Sequence, residues 1–102
     1  MSEFVYVYRL EHKDTGIGPF QGLYCLTLDD TTRQAWLAHT KQHNRELDAR
    51  QDELYGVLSE QSIVEYFGSF LPGLLNSGYE IGVYYIPNGN IRYGTLEVVF
   101  RP

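Results

Sequence analysis

Hydrophobic and polar positions alternate most regularly at the two ends of the chain. Residues 4–10 (FVYVYRL) alternate between large apolar side chains on one side and smaller or charged ones on the other, which predicts a β-strand. Residues 79–87 (YEIGVYYIP) and 91–100 (IRYGTLEVVF) are β-branched and aromatic runs that flank Asn88-Gly89-Asn90. Because an Asn-Gly pair between such runs is a strong turn signal, we expect a hairpin from Tyr79 to Phe100.

Closing this hairpin on its Asn-Gly pair produces one apolar face, which includes Val83 and Tyr85 and which we expect the rest of the chain to cover, and one mixed face. On the mixed face Glu80 lies opposite Glu97, and two like charges at such a position are destabilising. If the larger residues of the first strand face the core, Arg9 points to the same surface and relieves this repulsion. We expect the mixed face, which also carries Tyr84 and Tyr93, to stay uncovered.

Two segments between these strands have helical signals. Ser59 can cap a helix whose apolar residues recur at three- and four-residue spacing as far as the glycine C-cap at 76–78 (NSG). Pro72 is expected to kink this helix or end its regular hydrogen bonding. Residues 29–32 (DDTT) offer N-caps and first-turn acids for an earlier helix, which is predicted from about 32 to about 50 and anchored by Trp36. Its second half is so polar that we expect it to fray or to form only against a partner.

The order of these elements is strand, helix, helix, strand, strand in a single domain of residues 1–102. The expected fold is therefore α+β, with a three-stranded antiparallel sheet and two helices packed on one face. Placing the first strand beside the last one makes every neighbouring pair antiparallel, so the last strand is expected in the middle of the sheet.

The charge distribution limits the kinds of partner. Thirteen acidic and eight basic residues give a net charge of −5, which disfavours direct binding of nucleic acid. Between Gln51 and Ile91 there are five acidic residues and no Lys or Arg. Such a segment could meet a partner with a basic surface, although a solvated acidic face is the commoner explanation.

The cysteine content and the hydropathy indicate a cytoplasmic protein. Cys25 is the only cysteine and has apolar neighbours, so we expect a buried thiol in a reducing compartment. We see no signal peptide, and no apolar run approaches the roughly 20 residues of a membrane span.

Two groups of residues could carry chemistry. Arg9, Glu11 and His12 form a strand-end cluster, just before a glycine-containing loop, that could bind an anion or move protons. A local ion pair that fixes the loop is the simpler interpretation. His39 and His43 have metal-ligand spacing, but no Glu stands between them, and we interpret both as facing solvent. No P-loop, dinucleotide fingerprint or nucleophile with a paired base is present, so we expect neither metal nor cofactor.

Three stretches resemble small proteins encoded by tailed bacteriophages and prophages: 8–12 (YRLEH), 16–20 (GIGPF) and the terminal 98–100 (VVF). The likeness covers residues 1–20 and about 55–100. It implies an accessory phage protein of a group in which short, acidic chains often bind and block a host protein, including components of CRISPR or restriction defence.

We therefore expect a non-enzymatic phage protein that binds a basic surface of a host protein in the host cytoplasm and inhibits or redirects it. The expected binding surface combines the mixed face, the end of the first strand and the polar helix. Its residues are Tyr84, Tyr93, Glu80, Glu97, Arg9, His12, Glu46, Asp48, Asp52 and Glu53.

Three alternatives stay open. The strand-end cluster could belong to a small enzyme similar to ADP-ribosyltransferases, with Arg9 binding NAD and Glu97 as the catalytic acid. The carboxylates could mimic nucleic acid, as in anti-restriction proteins. An uncovered edge strand carrying Tyr84 and Ile86 could also pair with a second copy and form a homodimer.

Overall fold

The computed structural model describes residues 3–19, 27–42 and 47–102, with the backbone alone for 40–42. The α+β class is confirmed. The described chain forms three helices and five strands, in this order: β1 (Phe4–His12), α1 (Asp30–Gln42), β2 (Leu54–Gly56), α2 (Glu60–Phe67), α3 (Leu71–Asn76), β3 (Tyr79–Pro87), β4 (Ile91–Tyr93) and β5 (Val98–Phe100).

The strands form two antiparallel sheets rather than the single predicted one. β1 and β3 pair along nine residues each, from Phe4 opposite Pro87 to His12 opposite Tyr79. The second sheet has the order β2-β5-β4. The prediction that the last strand would lie beside the first is therefore wrong, because β1 pairs with β3 while β5 lies between β2 and β4.

The predicted hairpin from Tyr79 to Phe100 is also wrong, and the turn explains why. The two-residue turns that keep strands paired need positive φ at one or both central residues. Among the described residues only Gly16, Gly68 and Gly78 have positive φ. Asn88–Asn90 instead forms one 3-10 turn, and the strands on either side of it enter different sheets. The tight hairpin is β4-β5, where Gly94 N–H donates to the Glu97 carbonyl at 2.8 Å.

The two sheets are joined directly after β2. Tyr8 and Val57 exchange two backbone hydrogen bonds of 2.8 Å, so the chain changes its partner from β5 to β1 within one residue of Gly56. A Cβ atom at Gly56 would lie 2.6 Å from Cγ1 of Val7 and 3.0 Å from Cε1 of Phe100. Only glycine allows the two sheets to approach this closely.

Two hydrophobic clusters lie on opposite sides of the β1-β3 ribbon. The first core cluster joins one end of the ribbon to the helices through Leu10, Trp36, Ile63, Phe67, Leu74 and Tyr79. The second core cluster joins the other side of the ribbon to β4 and β5 through Val7, Ile86, Ile91, Val98 and Phe100.

The helix ends follow the predicted signals closely. Asp29 Oδ1 accepts a hydrogen bond from Thr32 N–H at 2.8 Å at the start of α1, and Ser59 caps α2. The backbone hydrogen bond to Asp29 also lowers the pKa of this carboxyl group. At the end of α3, Gly78 adopts φ of 94°, as a glycine C-cap requires. Trp36 is buried, which confirms it as the anchor of α1.

Two helix boundaries differ from the prediction. α1 ends at Gln42 and residues 47–50 are not helical, while 43–46 and Cys25 lie outside the described residues. The second predicted helix is divided, because Gly68 adopts φ of 50° and starts a 3-10 turn. Pro72 then falls in the first turn of α3, where its missing N–H is not needed. In the described parts of the chain, no helix has the length and apolarity needed to cross a membrane.

Candidate functional site

The mixed face of β3 is largely closed by the protein itself. Ile86 is buried in the second core cluster, and Tyr84 packs against it with its ring centroid 5.1 Å from that of Phe100. The Tyr84 hydroxyl donates a 2.5 Å hydrogen bond to Glu11 Oε1. Burial and this hydrogen bond together raise the pKa of Tyr84 to about 12. Our expectation that this face would be uncovered is therefore wrong at its centre.

The strand-end cluster holds several segments together. The Arg9 guanidinium donates to the carbonyl oxygens of Tyr55 at 3.1 Å and Gly16 at 3.2 Å, and its Nε lies 3.4 Å from Glu11 Oε1. A Cβ atom at Gly18 would lie 3.3 Å from Arg9 Nη2. Arg9 thus connects β1, the following loop and β2, which favours the interpretation of a local ion pair over an anion site.

The His12 side chain also makes its contacts within the protein. Its Nδ1 accepts a hydrogen bond from Asp14 N–H at 3.2 Å, and its ring meets the edge of Tyr79 at a centroid distance of 5.2 Å. A Cβ atom at Gly78 would lie 2.9 Å from its Nε2. The imidazole therefore packs against the glycine that ends α3.

Glu53 and Arg92 form a second polar cluster on the outer side of β2 and β4. Arg92 Nη2 and Nε donate to the two carboxylate oxygens of Glu53 at 2.6 and 3.0 Å, and Nη2 also donates to the Asp48 carbonyl at 2.7 Å. The hydrogen bonds from Arg92, and then from Arg50 N–H, lower the pKa of Glu53 to about 2. The pKa of Arg92 is raised by the same pair. This bidentate pair fixes residues 47–53 against the sheet.

The structure separates the ten residues of the predicted binding surface. Glu53 and Glu97 are 8% exposed, because one is paired with Arg92 and the other precedes the fully buried β5. Tyr93 is exposed and donates to Asn88 Oδ1 at 2.5 Å. Glu80, Asp48 and Asp52 are exposed, whereas Glu46 lies outside the described residues. Arg9, Glu80 and Tyr84 share one side of the β1-β3 ribbon, whereas His12 lies on its other side and Tyr93 belongs to the other sheet.

A different surface emerges on the other side of the ribbon. The helices cover this side only towards His12 and Tyr79, and its far half is open. There four large side chains are about half exposed, and we call them the aromatic patch: Phe4 (48%), Tyr6 (58%), Val83 (55%) and Tyr85 (59%).

Ring contacts join the three aromatic side chains of the aromatic patch. The Tyr85 ring lies between its two neighbours, with centroids 4.9 Å from Phe4 and 4.8 Å from Tyr6. Sequence reasoning assigned these residues to the core, because the alternation indicates a shared apolar face and does not show where the helical cover ends. A nine-residue strand is about 30 Å long, so its length was the available signal that one helical layer would cover only part of it.

No strand of the described chain pairs with the outer edge of β3. Tyr8 directs both backbone groups to Val57, so these groups point away from β3. In an antiparallel ladder such groups alternate, and Val83, the partner of Tyr8, must direct its own N–H and C=O away from β1. Ile81 and Tyr85 share this direction. Among the described residues β3 pairs with β1 alone, so no described strand accepts or donates hydrogen bonds at these outward groups.

The prediction that His39 faces solvent is wrong. Its ring packs among aromatic side chains, with centroid distances of 4.9 Å to Tyr66, 5.4 Å to Phe70 and 6.0 Å to Trp36. His43 lies outside the described residues. Within the described parts of the chain, no three His, Cys, Asp or Glu side chains lie close enough together to hold a metal ion.

These features define a small α+β protein in which the polar clusters connect neighbouring segments and one side of the β1-β3 ribbon carries the aromatic patch. The chain belongs to the family described as Bacteriophage T4 Y00F protein, whose model matches residues 1–102. It is therefore a phage-family protein, as the resemblance of its sequence implied. Neither the curated proteins nor the solved structures gave a match.

Proposed function

We propose that this phage protein acts by binding a host protein in the host cytoplasm and inhibiting or redirecting it, with bacterial defence components as the class to test first. The aromatic patch is the observation that supports this proposal. Exposed tyrosine and phenylalanine are typical of binding surfaces, because they bury a large area at little entropic cost. The contact surface that we propose is therefore not the predicted mixed face but the opposite side of the ribbon.

The size of the aromatic patch is that of a functional surface. Each aromatic side chain can bury 150–250 Å², so three that are about half exposed leave about 250–400 Å² for a partner. Patches of this size on monomers are often functional. At about 25 cal/mol per Å², covering it contributes about 6–10 kcal/mol, which association costs of about 4–15 kcal/mol offset. The aromatic patch alone therefore gives weak binding, and further contacts are needed.

The charge of the segment that contains β3 indicates the chemistry of the partner. Glu60, Glu65 and Glu80 are exposed, and the segment from Gln51 to Ile91 contains no Lys or Arg. Arg92, just beyond this segment, is occupied by Glu53. We therefore expect a host surface with an apolar centre and basic residues around it, with an association rate that falls as salt is added.

An affinity experiment tests the proposal. The wild-type protein, a Tyr6→Ser/Tyr85→Ser variant and a Tyr93→Ser control are immobilised and exposed to host lysate at physiological salt, with quantitative mass spectrometry of what is retained. We expect one host protein to be retained by the wild type and the control and lost from the double variant. The purified host protein should then lose or change its own activity when the phage protein is added.

Two outcomes contradict the proposal. One is that no host protein distinguishes the wild type from the double variant. The other is that the retained protein keeps its activity unchanged at saturating phage protein. Tyr93 is a suitable control because it is a similarly exposed tyrosine, at 48%, in the other sheet.

A further inference from the structure

We propose that the outer edge of β3 accepts an extended segment of the partner as an added strand, with apolar side chains beside the aromatic patch and a Lys or Arg beside Glu80. This inference rests on the proposed function, since the segment belongs to the bound protein, and it specifies how that protein is recognised.

The backbone of β3 supplies the first argument. Ile81, Val83 and Tyr85 direct their N–H and C=O groups outward, and this spacing of two is the pattern that an incoming strand pairs with. The backbone of Pro87 also points outward, because Pro87 pairs with Phe4 in the same alternation. A proline within a sheet is found where its missing N–H would face an open edge, so Pro87 also ends the surface available for pairing.

The side chains of β3 supply the second argument. Successive residues of an added strand point to opposite sides of the sheet. Every second residue would therefore stand beside Val83 and Tyr85 and extend the contact with the aromatic patch. The backbone hydrogen bonds and this added area supply the contacts that the aromatic patch lacks.

The charges supply the third argument. Glu80 is exposed and lies directly opposite Glu11 in the register of β1 and β3. Like charges at this position are unfavourable, and Arg9, which contacts Glu11 at 3.4 Å, lies on the far strand. A Lys or Arg at the corresponding position of an added strand would stand beside Glu80, on the side of β3 where no described strand pairs.

This charge pattern favours a basic segment over a second copy of the chain. A second copy would pair its own β3 with this edge, and residues 79–87 contain Glu80 but no Lys or Arg. In the longest two-fold register, centred on Val83, Glu80 would lie opposite Ile86 and keep its unfavourable environment. The experiment must therefore distinguish a partner's segment at this edge from the homodimer that the sequence suggested.

The experiment uses a display library of random twelve-residue peptides, selected on the full-length protein. We expect the enriched peptides to alternate apolar residues with residues that include Lys or Arg. One synthetic enriched peptide is then titrated against four proteins: wild type, Val83→Ala, Val83→Pro and Glu80→Gln. Val83→Ala and Val83→Pro both remove the branched side chain, but only proline removes the outward N–H.

We expect Val83→Pro to bind the peptide about tenfold more weakly than Val83→Ala, because it loses a hydrogen bond and crowds the edge. Glu80→Gln should weaken binding about two- to fivefold, and the difference should vanish at high salt. Thermal melts check the folding of each variant, and the Val83 N–H is not needed for the pairing of β3 with β1.

The results separate this inference from the proposed function. Peptides without alternation, or equal affinity for Val83→Pro and Val83→Ala, would overturn the added strand. Sedimentation showing a wild-type dimer that Val83→Pro converts to a monomer would also overturn it, because a second copy would then occupy the edge. If the host protein is still retained by Val83→Pro but lost from Tyr6→Ser/Tyr85→Ser, the added strand is wrong and the proposed function stands.

Discussion

Substituting alanine for Gly56 tests the close approach of the two sheets. The added Cβ would lie 2.6 Å from Val7 Cγ1 and 3.0 Å from both Phe100 Cε1 and the Tyr8 carbonyl oxygen. Carbon atoms in favourable contact are about 3.5–4.0 Å apart, so neighbouring atoms must move by up to about 1 Å. Val7 and Phe100 are fully buried, which leaves them little space for this movement.

Overpacking of this kind costs about 1–3 kcal/mol of a total stability that is about 5–15 kcal/mol for a domain. For a chain of this length each kcal/mol corresponds to about 4–8 °C, so we expect the melting temperature of Gly56→Ala to fall by about 5–20 °C. Circular dichroism during thermal and urea unfolding measures both quantities.

Gly89→Ala is the matched control for this experiment. A Cβ atom at Gly89 meets no heavy atom within 4 Å, and its φ is not positive. The control should therefore melt close to the wild type. If Gly56→Ala also melts within the scatter of the control, the sheets do not meet at Gly56 in the way described, and the arrangement of β2 against β1 is wrong.

Three further predictions follow from the buried and paired groups. Because the folded-state pKa of Glu53 is lowered from 4.5 to about 2, its stabilising contribution is present above pH 4.5 and lost as the pH falls towards 2. The melting temperature of the wild type should therefore fall more steeply over this interval than that of Glu53→Gln, and parallel curves would contradict the pairing with Arg92. The pKa of Tyr84 is raised from 10.0 to about 12, so its contribution is present below pH 10 and lost as the pH rises through 12. A tyrosinate absorbance titration should show a late component that is missing from Tyr84→Phe, and an unchanged titration would argue against the bond to Glu11. Leu74→Ala should cost about 2–5 kcal/mol in urea unfolding, since Leu74 is fully buried, whereas the neighbouring half-exposed Leu75 should tolerate alanine; equal costs would contradict the orientation of α3.

Local signals were sufficient for the helix ends and the alternating strands. The caps at Asp29 and Ser59 and the glycine at 78 depend on residues within three or four positions of each other, so they can be read from the sequence. The shared side of Arg9 and Glu80 was also predictable, because the alternation of a strand fixes it.

Such local signals do not predict which distant strands pair. β1 pairs with a strand about 75 residues away, while the local Asn-Gly signal favoured pairing across the turn. The outcome depended on φ at Asn88 and Gly89, which the sequence does not specify. Glu53 looked like a solvated acid because its partner, Arg92, stands 39 residues later.

The candidate site differs from the predicted binding surface for a related reason. The alternation correctly grouped Tyr6 and Tyr85 on one face, but it could not show where the helical cover ends. Tyr84 was assigned to the open face because the second sheet, which covers it, was not predicted. Burial of a strand face depends on elements far away in the chain. The pattern of the strand itself does not show which of these elements cover it.

Hydrogen exchange of the free protein, followed residue by residue by NMR, tests the central claim that β3 presents an open edge beside the aromatic patch. The described pairing predicts an alternation along the strand. The amides of Gly82 and Tyr84 should exchange slowly, because they donate to β1, and those of Ile81, Val83 and Tyr85 should exchange rapidly. Slow exchange at all five positions would mean that the outer edge is already covered, and it would contradict the account.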